Sequence, residues 1–546
     1  MIWHMAALWE EIARAIPDRT ALINGETRRS WAEFERRAAA LASGLVEAGV
    51  APDSKVAVYG LNSNEFLETC FTAFKARAIP INVNYRYGEA ELTYLFDNAD
   101  VEAVIFDARY GERVATIRPR LPKLRLLIEI DDGSGARTPG AVPYEALIAA
   151  NAPLGPTPYD ENDIYMLYTG GTTGMPKGVM YPHRDLAQAL MLGYGLLGEA
   201  RPNTVDELIA SVKRRIEGPA PTVGLAASPL MHGTGLWGGA FVALNLGGAA
   251  ATIRSLHFDP DELWRVVQRD RVTDMAIVGD VFAKPMLEAL RRAEAEGRPY
   301  DLSSLRTIFS SGVMFTRETK QGLLDLADIT IIDSMGATEG GMGSSIVSRA
   351  NPPGETAIFQ MNPTTKVFGD DDREVIPGSG QIGMIANGGA APIGYYKDPE
   401  KSAATFRVIG GHRYSFPGDY AQVAADGSII LLGRGSSCIN TGGEKVFPEE
   451  VEEALKAHPD VEDCLVVGAP HERLGEQVTA VVTAAPGRAI DEAELIAFAR
   501  ARLAGYKLPR RLVVAEQIQR GPSGKPDYRW ARALAQSGQE AAKTHS

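Results

Sequence analysis

Tyr168-Thr169-Gly170-Gly171-Thr172-Thr173-Gly174-Met175-Pro176-Lys177-Gly178 is the most informative stretch of this sequence. It follows a strand-like run from Ile164 to Leu167. Its glycines let backbone N–H groups approach an anion, its threonines add hydroxyl donors, and Lys177 supplies a cation. The stretch therefore predicts a phosphate-binding loop. A surface loop without function is the alternative, which the density of glycine, threonine and lysine behind a strand makes less favoured.

Two familiar nucleotide motifs do not explain this loop. In a Walker A loop the lysine follows glycine and precedes Ser or Thr, whereas Lys177 follows proline and precedes glycine. A second glycine-rich match, at 233–238, has the G-x-G-x-x-G spacing, but it follows Pro229-Leu230-Met231-His232 instead of a β-branched strand. The acidic residue at the right distance, Asp259, lies in a helix-start pattern. We therefore do not expect a dinucleotide-binding dehydrogenase.

Composition excludes several classes of protein. The 546 residues are 45% hydrophobic, which is enough for a large folded core and, at this length, for more than one domain. The formal net charge of −13 is the wrong sign for a general nucleic-acid binder. Three widely spaced cysteines indicate a reducing compartment, so we expect the cytoplasm. No apolar run reaches the roughly 18 residues of a membrane-spanning helix, so no integral membrane protein is expected.

Alternating helical and strand patterns predict an α/β fold. Ser30 to Val50 has the periodicity of an amphipathic helix, and Lys55 to Tyr59 and Val101 to Phe106 have that of strands. A Gly/Ser segment at 431–437 predicts a domain boundary. We expect a large N-terminal domain of α/β subdomains at 1–433 and a small, mobile α+β domain at 434–546.

Further motifs share the order of one known family. After the loop come Met335-Gly336-Ala337-Thr338-Glu339, Gly394-Tyr395, Gly418-Asp419, Gly433-Arg434, Gly442-Gly443-Glu444 with Val446 and Pro448, and Pro522-Ser523-Gly524-Lys525. With this series of motifs the chain resembles the adenylate-forming superfamily, which includes acyl-CoA synthetases, coumarate ligases, luciferases and peptide-synthetase adenylation domains. The resemblance covers nearly the whole chain.

This resemblance implies a two-step reaction with ATP, Mg²⁺ and coenzyme A. A carboxylate first attacks the α-phosphate of ATP, and the CoA thiolate then displaces AMP. The resemblance makes Lys525 and Lys177 catalytic cations, Thr338 a donor to the α-phosphate and Glu339 the Mg²⁺ ligand. Without the other motifs, a Thr-Glu pair is more typical of a helix N-terminus.

The same resemblance implies the residues that bind the nucleotide and CoA. A rotating C-terminal domain would present first Lys525 and then the pantetheine loop at 442–444. The family position at its hinge usually holds Asp or Lys, and this chain has Ser436. The residues assigned to the nucleotide and CoA are Thr169, Gly170, Gly171, Thr172, Thr173, Gly174, Gly312, Asp333, Gly336, Asp419, Arg434, Gly442, Gly443 and Glu444.

The expected acyl pocket is apolar. The segments that line the acyl pocket in the family contain, in this chain, His232, Trp237, Val281, Phe282, Met314 and Met342. These side chains predict an apolar monocarboxylic acid. The run from Gly433 to Pro448 resembles bacterial fatty-acyl and steroid-side-chain CoA ligases, which implies a long-chain or bulky polycyclic acid. Glycines near the pocket, such as Gly235 and Gly238, either leave room for a wide substrate or allow close helix packing.

Three hypotheses about function follow. The first is an acyl-CoA ligase that acts on a small-molecule carboxylic acid, with a homodimer as the common assembly in the family. The second is an adenylating enzyme that passes acyl-AMP to a separate carrier or partner, for which Ser436 is a mild indication. The third is a nucleotide-binding homologue without catalysis, which the retained charged residues disfavour.

Overall fold

A computed structural model of the protein describes residues 3–170, 175–196, 198–218, 221–354, 358–441, 444–471, 473–520 and 526–543. The chain divides into two compact units. The larger contains Met1–Thr356 and Gly388–Ser415, and the smaller contains Ala357–Asn387 and Phe416–Ser546. The predicted boundary between residues 433 and 434 lies inside the smaller unit and stays a prediction.

The strands of the larger unit are β1 (Thr20–Asn24), β2 (Thr27–Ser30), β3 (Lys55–Tyr59), β4 (Ile79–Asn82), β5 (Val101–Asp107), β6 (Leu126–Ile130), β7 (Val142–Pro143), β8 (Ile164–Thr169), β9 (Lys177–Pro182), β10 (Val223–Ala226), β11 (Ala249–Thr252), β12 (Asp274–Ile277), β13 (Thr307–Ser311), β14 (Thr330–Ala337), β15 (Gly340–Val347), β19 (Gly394–Tyr395), β20 (Phe406–Ile409) and β21 (His412–Ser415). Those of the smaller unit are β16 (Ile358–Met361), β17 (Thr365–Phe368), β18 (Ile382–Asn387), β22 (Asp419–Val423), β23 (Ile429–Arg434), β24 (Ile439–Thr441), β25 (Glu444–Val446), β26 (Val461–His471), β27 (Gly475–Ala484) and β28 (Arg511–Val514).

The helices of the larger unit are α1 (Met5–Ala15), α2 (Trp31–Glu47), α3 (Asn64–Lys75), α4 (Glu89–Asn98), α5 (Gly111–Ile117), α6 (Tyr144–Ala150), α7 (His183–Leu190), α8 (Leu192–Leu196), α9 (Val205–Ile216), α10 (Val242–Asn245), α11 (Pro260–Asp270), α12 (Gly279–Ala295), α13 (Arg317–Leu326) and α14 (Pro399–Thr405), with a π-helical segment at Thr234–Phe241. Those of the smaller unit are α15 (Pro448–Lys456), α16 (Glu492–Arg500) and α17 (Tyr528–Lys543).

The main sheet of the larger unit is mostly parallel. Its strands follow the order β2-β1-β11-β10-β12-β13-β14-β15, and only the two outer pairs are antiparallel. Parallel strands end at one edge, so the loops after β12, β13 and β14 lie side by side. The predicted α/β class is confirmed.

A second, fully parallel sheet contains the strands predicted near the start of the chain. Its order is β4-β3-β5-β6-β7. The predicted strand Lys55 to Tyr59 is β3, and Val101 to Phe106 extends by one residue as β5. Helix α2 begins after Ser30, whose hydroxyl caps it by accepting a hydrogen bond from the Glu33 N–H over 3.1 Å.

The smaller unit has two sheets. One has the order β16-β23-β22-β18, with β17 beside β18, and all its pairs in the described residues are antiparallel. The other follows the order β25-β24-β27-β26, with β28 parallel to β27. Its two faces pack against α15 and α17, with buried Val466 on one side and Leu465 on the other.

Among the helices in the described ranges, none is both long enough and apolar enough to cross a bilayer.

Candidate active site

The predicted phosphate loop joins two antiparallel strands. Thr169 ends β8 and lies directly opposite Lys177, the first residue of β9. Because a strand follows the loop, its architecture differs from that of a Walker A loop, in which a helix follows. Gly170 and Lys177 are described, whereas Gly171, Thr172, Thr173 and Gly174 lie outside the described residues.

Lys177 has an anionic neighbour that the sequence analysis missed. Its Nζ lies 2.8 Å from Oδ2 of Asp398 and 5.6 Å from the centre of the Tyr395 ring. The hydrogen bond from Lys177 lowers the pKa of Asp398. Both side chains are about one-third exposed, at 37% and 32%. A pair this exposed contributes little free energy, so a phosphate could compete for Lys177.

Thr338 and Glu339 form the two-residue turn between β14 and β15. Ala337 pairs with Gly340 across this hairpin, and Gly340 has a φ of +148°, which favours glycine. The alternative of a helix N-terminus is therefore not what the structure shows. The turn places both residues at the carboxyl end of β14, where loops of a parallel sheet commonly bind ligands.

Three hydroxyl groups fix this turn. Tyr395 donates to Oε1 of Glu339 over 2.6 Å, and Tyr181 donates to the Thr338 carbonyl over 2.7 Å. Ser415 donates to the Glu339 carbonyl over 2.9 Å. The Gly394-Tyr395 motif was noted in the sequence, but this contact joins residues too far apart in the chain for sequence reasoning to find.

The Glu339 carboxylate suits a hard cation. Within the described ranges, no three His, Cys, Asp or Glu side chains form a group able to hold a metal ion. A cation here would therefore depend on Glu339 together with substrate phosphate oxygens, which is how Mg²⁺ commonly binds. Tyr395 occupies Oε1, and a carboxylate has a second oxygen. The donor set fits Mg²⁺ bound with a nucleotide.

The predicted adenine residues follow β13 and lie in β14. Gly312 has a φ of +96°, which favours glycine, and a Cβ there would lie 3.9 Å from the Val278 side chain, an ordinary contact. Asp333, opposite Ser310 in the sheet, accepts from the buried ammonium of Lys320 over 2.6 Å. Burial raises the pKa of Asp333, and Lys320 opposes that shift. No motif in the sequence pointed to Lys320. Gly336 follows the irregularity in the pairing of β14 with β15.

Asp419 and Arg434 meet across two neighbouring strands of the smaller unit. They are register partners in β22 and β23, and Arg434 Nε lies 3.3 Å from Asp419 Oδ1. The other oxygen, Oδ2, is buried and has no hydrogen-bond partner in the described part of the chain. Leaving such an atom unpaired costs free energy, so it suits a ligand hydroxyl that donates to it. The pair fits the predicted ribose role.

The predicted acyl-pocket residues lie along the main sheet's carboxyl edge. Trp237 donates to the Tyr165 hydroxyl over 3.1 Å and meets the Tyr181 ring edge-on at 6.0 Å. Phe282 packs against Phe258 with ring centres 4.6 Å apart, a neighbour the sequence analysis missed. The others are His232 just before the π-helical segment, Val281 in the first turn of α12, partly buried Met314 and buried Met342.

Some of the glycines near this pocket allow close packing. A Cβ at Gly238 would lie 2.9 Å from the Phe309 ring, and one at Gly239 would lie 2.6 Å from the Ala226 backbone. A side chain at Gly235 would meet the carbonyl groups of residues 228 and 229. For these three glycines, the structure favours close helix packing over room for a wide substrate.

The remaining predicted residues belong to the smaller unit. Glu444, the last residue of the predicted pantetheine loop, is exposed and begins β25. Gly442, Gly443 and Lys525 lie outside the described residues.

Curated relatives match almost the whole chain. A 3-oxocholest-4-en-26-oate–CoA ligase from Rhodococcus rhodochrous is 42% identical over 541 residues, covering 97% of this chain and 96% of that protein. A medium/long-chain-fatty-acid–CoA/3-oxocholest-4-en-26-oate–CoA ligase from Mycobacterium tuberculosis is 43% identical over 536 residues, covering 97% and 95%. The resemblance inferred from the motifs is confirmed.

A solved structure and two family models agree with these relatives. The anthranilate CoA ligase AuaEII, in complex with anthranoyl-AMP, superposes with a TM-score of 0.82 at 22% identity, covering 97% of this chain and 98% of that one. This likeness shows the fold. The model for the AMP-binding enzyme matches residues 9–396, and the model for the AMP-binding enzyme C-terminal domain matches residues 450–525. The chain therefore belongs to the AMP-binding enzyme family.

Proposed function

We propose that the protein is an ATP-dependent acyl-CoA ligase for an apolar monocarboxylic acid of the long-chain or steroid type. The observation that carries this proposal is the identity of 42% over 97% of the chain with a ligase named for a steroid acid. The largely apolar candidate pocket supports it, with Trp237, Phe282 and Met342 among its residues. The buried cation nearby, Lys320, is already paired with Asp333, so it does not call for a second substrate carboxylate.

In the first step, the substrate carboxylate attacks the α-phosphate of ATP and pyrophosphate leaves. A carboxylate is ionised at neutral pH, so this step needs no base to remove a proton. Lys177 would neutralise the departing pyrophosphate, and Thr338 would donate to the α-phosphate. Lys525 would bridge the carboxylate and the α-phosphate as negative charge redistributes. Asp419 and Arg434 would hold the ribose.

We include Mg²⁺ as the cofactor, with Glu339 as its protein ligand. Bound there, the ion would neutralise charge on the phosphates. The hydrogen bond from Tyr395 supports this assignment, because it fixes the orientation of the carboxylate.

In the second step, the CoA thiolate attacks the acyl carbon of acyl-AMP and AMP leaves. We assign the loop at 442–444 to pantetheine, because backbone without side chains suits a narrow tunnel. The compartment we propose is the cytoplasm.

The test is pyrophosphate release with Mg²⁺, ATP and a panel of fatty, aryl and steroid acids, each with and without CoA, while the thioester is followed by mass. Release together with acyl-CoA is the expected result. Pyrophosphate release without a thioester would indicate an adenylating enzyme that passes acyl-AMP to a separate acceptor. Ser436, at the predicted hinge, would then be the first residue to substitute. If no acid leads to pyrophosphate release, the proposal that the protein is an adenylate-forming enzyme is wrong. Glu339→Gln is the matched control, since it keeps the shape of the side chain and removes its charge.

A further inference from the structure

Glu449 touches the strand that carries Arg434. It lies in the first turn of α15, and its Oε1 accepts a hydrogen bond from the Arg434 backbone N–H over 3.4 Å. Its Oε2 is buried and has no hydrogen-bond partner among the residues that the structure describes. A Cβ at Gly433 would collide with this oxygen. The absence of a side chain at Gly433 therefore lets the carboxyl group lie against the backbone of β23.

The contact lies beside the predicted ribose residues. The backbone N–H of Arg434 donates to the Glu449 carboxyl group, and its side-chain Nε lies 3.3 Å from Oδ1 of Asp419. Moving the backbone at residues 433 and 434 would therefore move the guanidinium relative to Asp419. Glu449 is not among the motif residues of the family resemblance.

The charged and titratable groups around Glu449 disfavour its ionised form. Burial, together with the carboxylates of Glu452 and Asp419, raises the pKa of Glu449 to about 8. Tyr528, from α17, faces the same group, and the Arg434 N–H opposes the shift. At neutral pH the carboxyl group is therefore mostly protonated, and it carries no negative charge that would compete with Asp419 for the Arg434 guanidinium.

We propose that Glu449 is a positioning residue of the nucleotide site, which holds the backbone at Gly433 and Arg434 so that Arg434 meets Asp419. The inference rests on the proposed function, because ATP is the ligand whose ribose these residues would bind. Ionisation of Glu449 adds a second carboxylate beside Asp419 and leaves a buried charge without a cation. That negative charge also opposes the binding of a polyanion, so ATP binds more weakly.

The experiment measures the dissociation constant for ATP with Mg²⁺ by calorimetry, at about pH 7 and about pH 9, the two sides of the expected titration. It uses the full-length wild type, Glu449→Gln and Glu449→Ala. The glutamine keeps an oxygen that can accept from the Arg434 N–H, but it does not titrate. Glu462→Gln, the same change at an exposed position of β26, is the matched control.

The wild type and Glu462→Gln are expected to bind ATP about tenfold more weakly at the higher pH, whereas Glu449→Gln binds equally at both. Glu449→Ala is expected to bind about tenfold more weakly at both pH values, because the backbone contact is lost. In kinetics the same variant raises the KM for ATP and leaves the KM for the acid unchanged.

A Glu449→Gln protein with the same pH response as the wild type would overturn the inference alone. So would a Glu449→Ala protein whose ATP affinity stays within about twofold of the wild type. If the alanine variant does not fold, the pH comparison with glutamine decides. A wild type that does not bind ATP would overturn the proposed function, and the positioning role with it. Calorimetry needs no turnover, so the two failures are distinguishable.

Discussion

The hydroxyl of Tyr395 donates a hydrogen bond to Oε1 of Glu339 across 2.6 Å, and the two residues are 56 positions apart in the chain. The tyrosine belongs to the short strand β19, which pairs with β9 behind the candidate phosphate loop. The same ring lies 5.6 Å from the ammonium of Lys177. Tyr395 therefore links the predicted metal ligand to the predicted phosphate cation.

This link predicts that Tyr395→Phe weakens the use of Mg²⁺. A hydrogen bond that orients a metal ligand is typically worth about 10- to 100-fold in metal affinity or activity. We expect the Mg²⁺ concentration for half-maximal pyrophosphate release to rise by roughly that factor. Tyr396→Phe is the control, because the neighbouring hydroxyl donates to Asp100 instead, over 2.7 Å. An unchanged Mg²⁺ dependence in Tyr395→Phe would remove the orienting role.

A second prediction is that Lys525 acts in the first half-reaction, adenylation, and not in the second, thioester formation. Loss of one well-placed donor to the developing charge typically slows a reaction by about 10²- to 10³-fold. Lys525→Ala should slow pyrophosphate release by that factor and leave thioester formation from supplied acyl-AMP close to the wild-type rate. Rapid quench of each half-reaction measures both. Equal losses in the two steps would contradict the assignment.

Local patterns predicted the elements well. The helix predicted from Ser30 to Val50 is α2, Trp31–Glu47, and the strand predicted from Val101 to Phe106 is β5, Val101–Asp107. The glycine-rich match at 233–238 was correctly rejected, because the chain forms a π-helical segment there instead of a strand-to-helix turn. These features depend on periodicity and turn chemistry within a few residues, which a sequence displays directly.

The partners of the site residues could not be predicted in the same way. Asp398 is 221 positions from Lys177, and Glu449 meets β23 from a helix that begins beyond the predicted boundary. Periodicity carries no information on which distant side chains meet. The glycines around residue 238 left two alternatives for a similar reason, since only the position of Phe309 decides whether a side chain would fit there.

The contact between Phe258 and Phe282 predicts a role for Phe258 in selecting the acid. Phe258 lies in the loop after β11, at the same sheet edge as the candidate pocket, and is 36% exposed. An aromatic pair is worth about 0.5–1.5 kcal/mol, so Phe258→Ala should raise the KM for a steroid or long-chain acid roughly 2- to 10-fold. A short-chain acid is the internal control, with no expected change. Equal changes for short and long acids would point to a purely structural role.

Two buried histidines, His4 at the N-cap of α1 and His183 at the start of α7, predict a specific loss of stability in acid. The His4 and His183 rings stack with centres 3.8 Å apart. The Nδ1 of His4 accepts from the Ala6 N–H, and the Nδ1 of His183 accepts from the Met5 N–H, each over 3.2 Å. A proton on either Nδ1 would point at a backbone donor. Each ring therefore needs to be neutral, with its hydrogen on Nε2.

The pKa shifts agree with that geometry. Burial, and secondarily the charge of Arg77, lowers the pKa of His4 to about 3, and burial lowers the pKa of His183 well below its usual range. Below about pH 6.5, the unfolded chain takes up protons that the folded chain does not. Stability is therefore unaffected at higher pH and falls as the pH decreases from about 6.5 toward the folded pKa values.

Each histidine should remove about 1.4 kcal/mol from the free energy of unfolding between pH 7.5 and pH 5.5. His4→Asn tests this, because asparagine can still cap α1 but does not titrate. The variant loses the stacking at every pH, so it is compared with the wild type by the change in unfolding free energy between the two pH values, from urea denaturation. This change should be smaller in the variant by about 1.4 kcal/mol. If the unfolding free energy of both proteins falls by the same amount, His4 takes up its proton in the folded protein as it does in the unfolded chain. The stacked, neutral form would then not be the form that His4 keeps in the folded protein at pH 5.5.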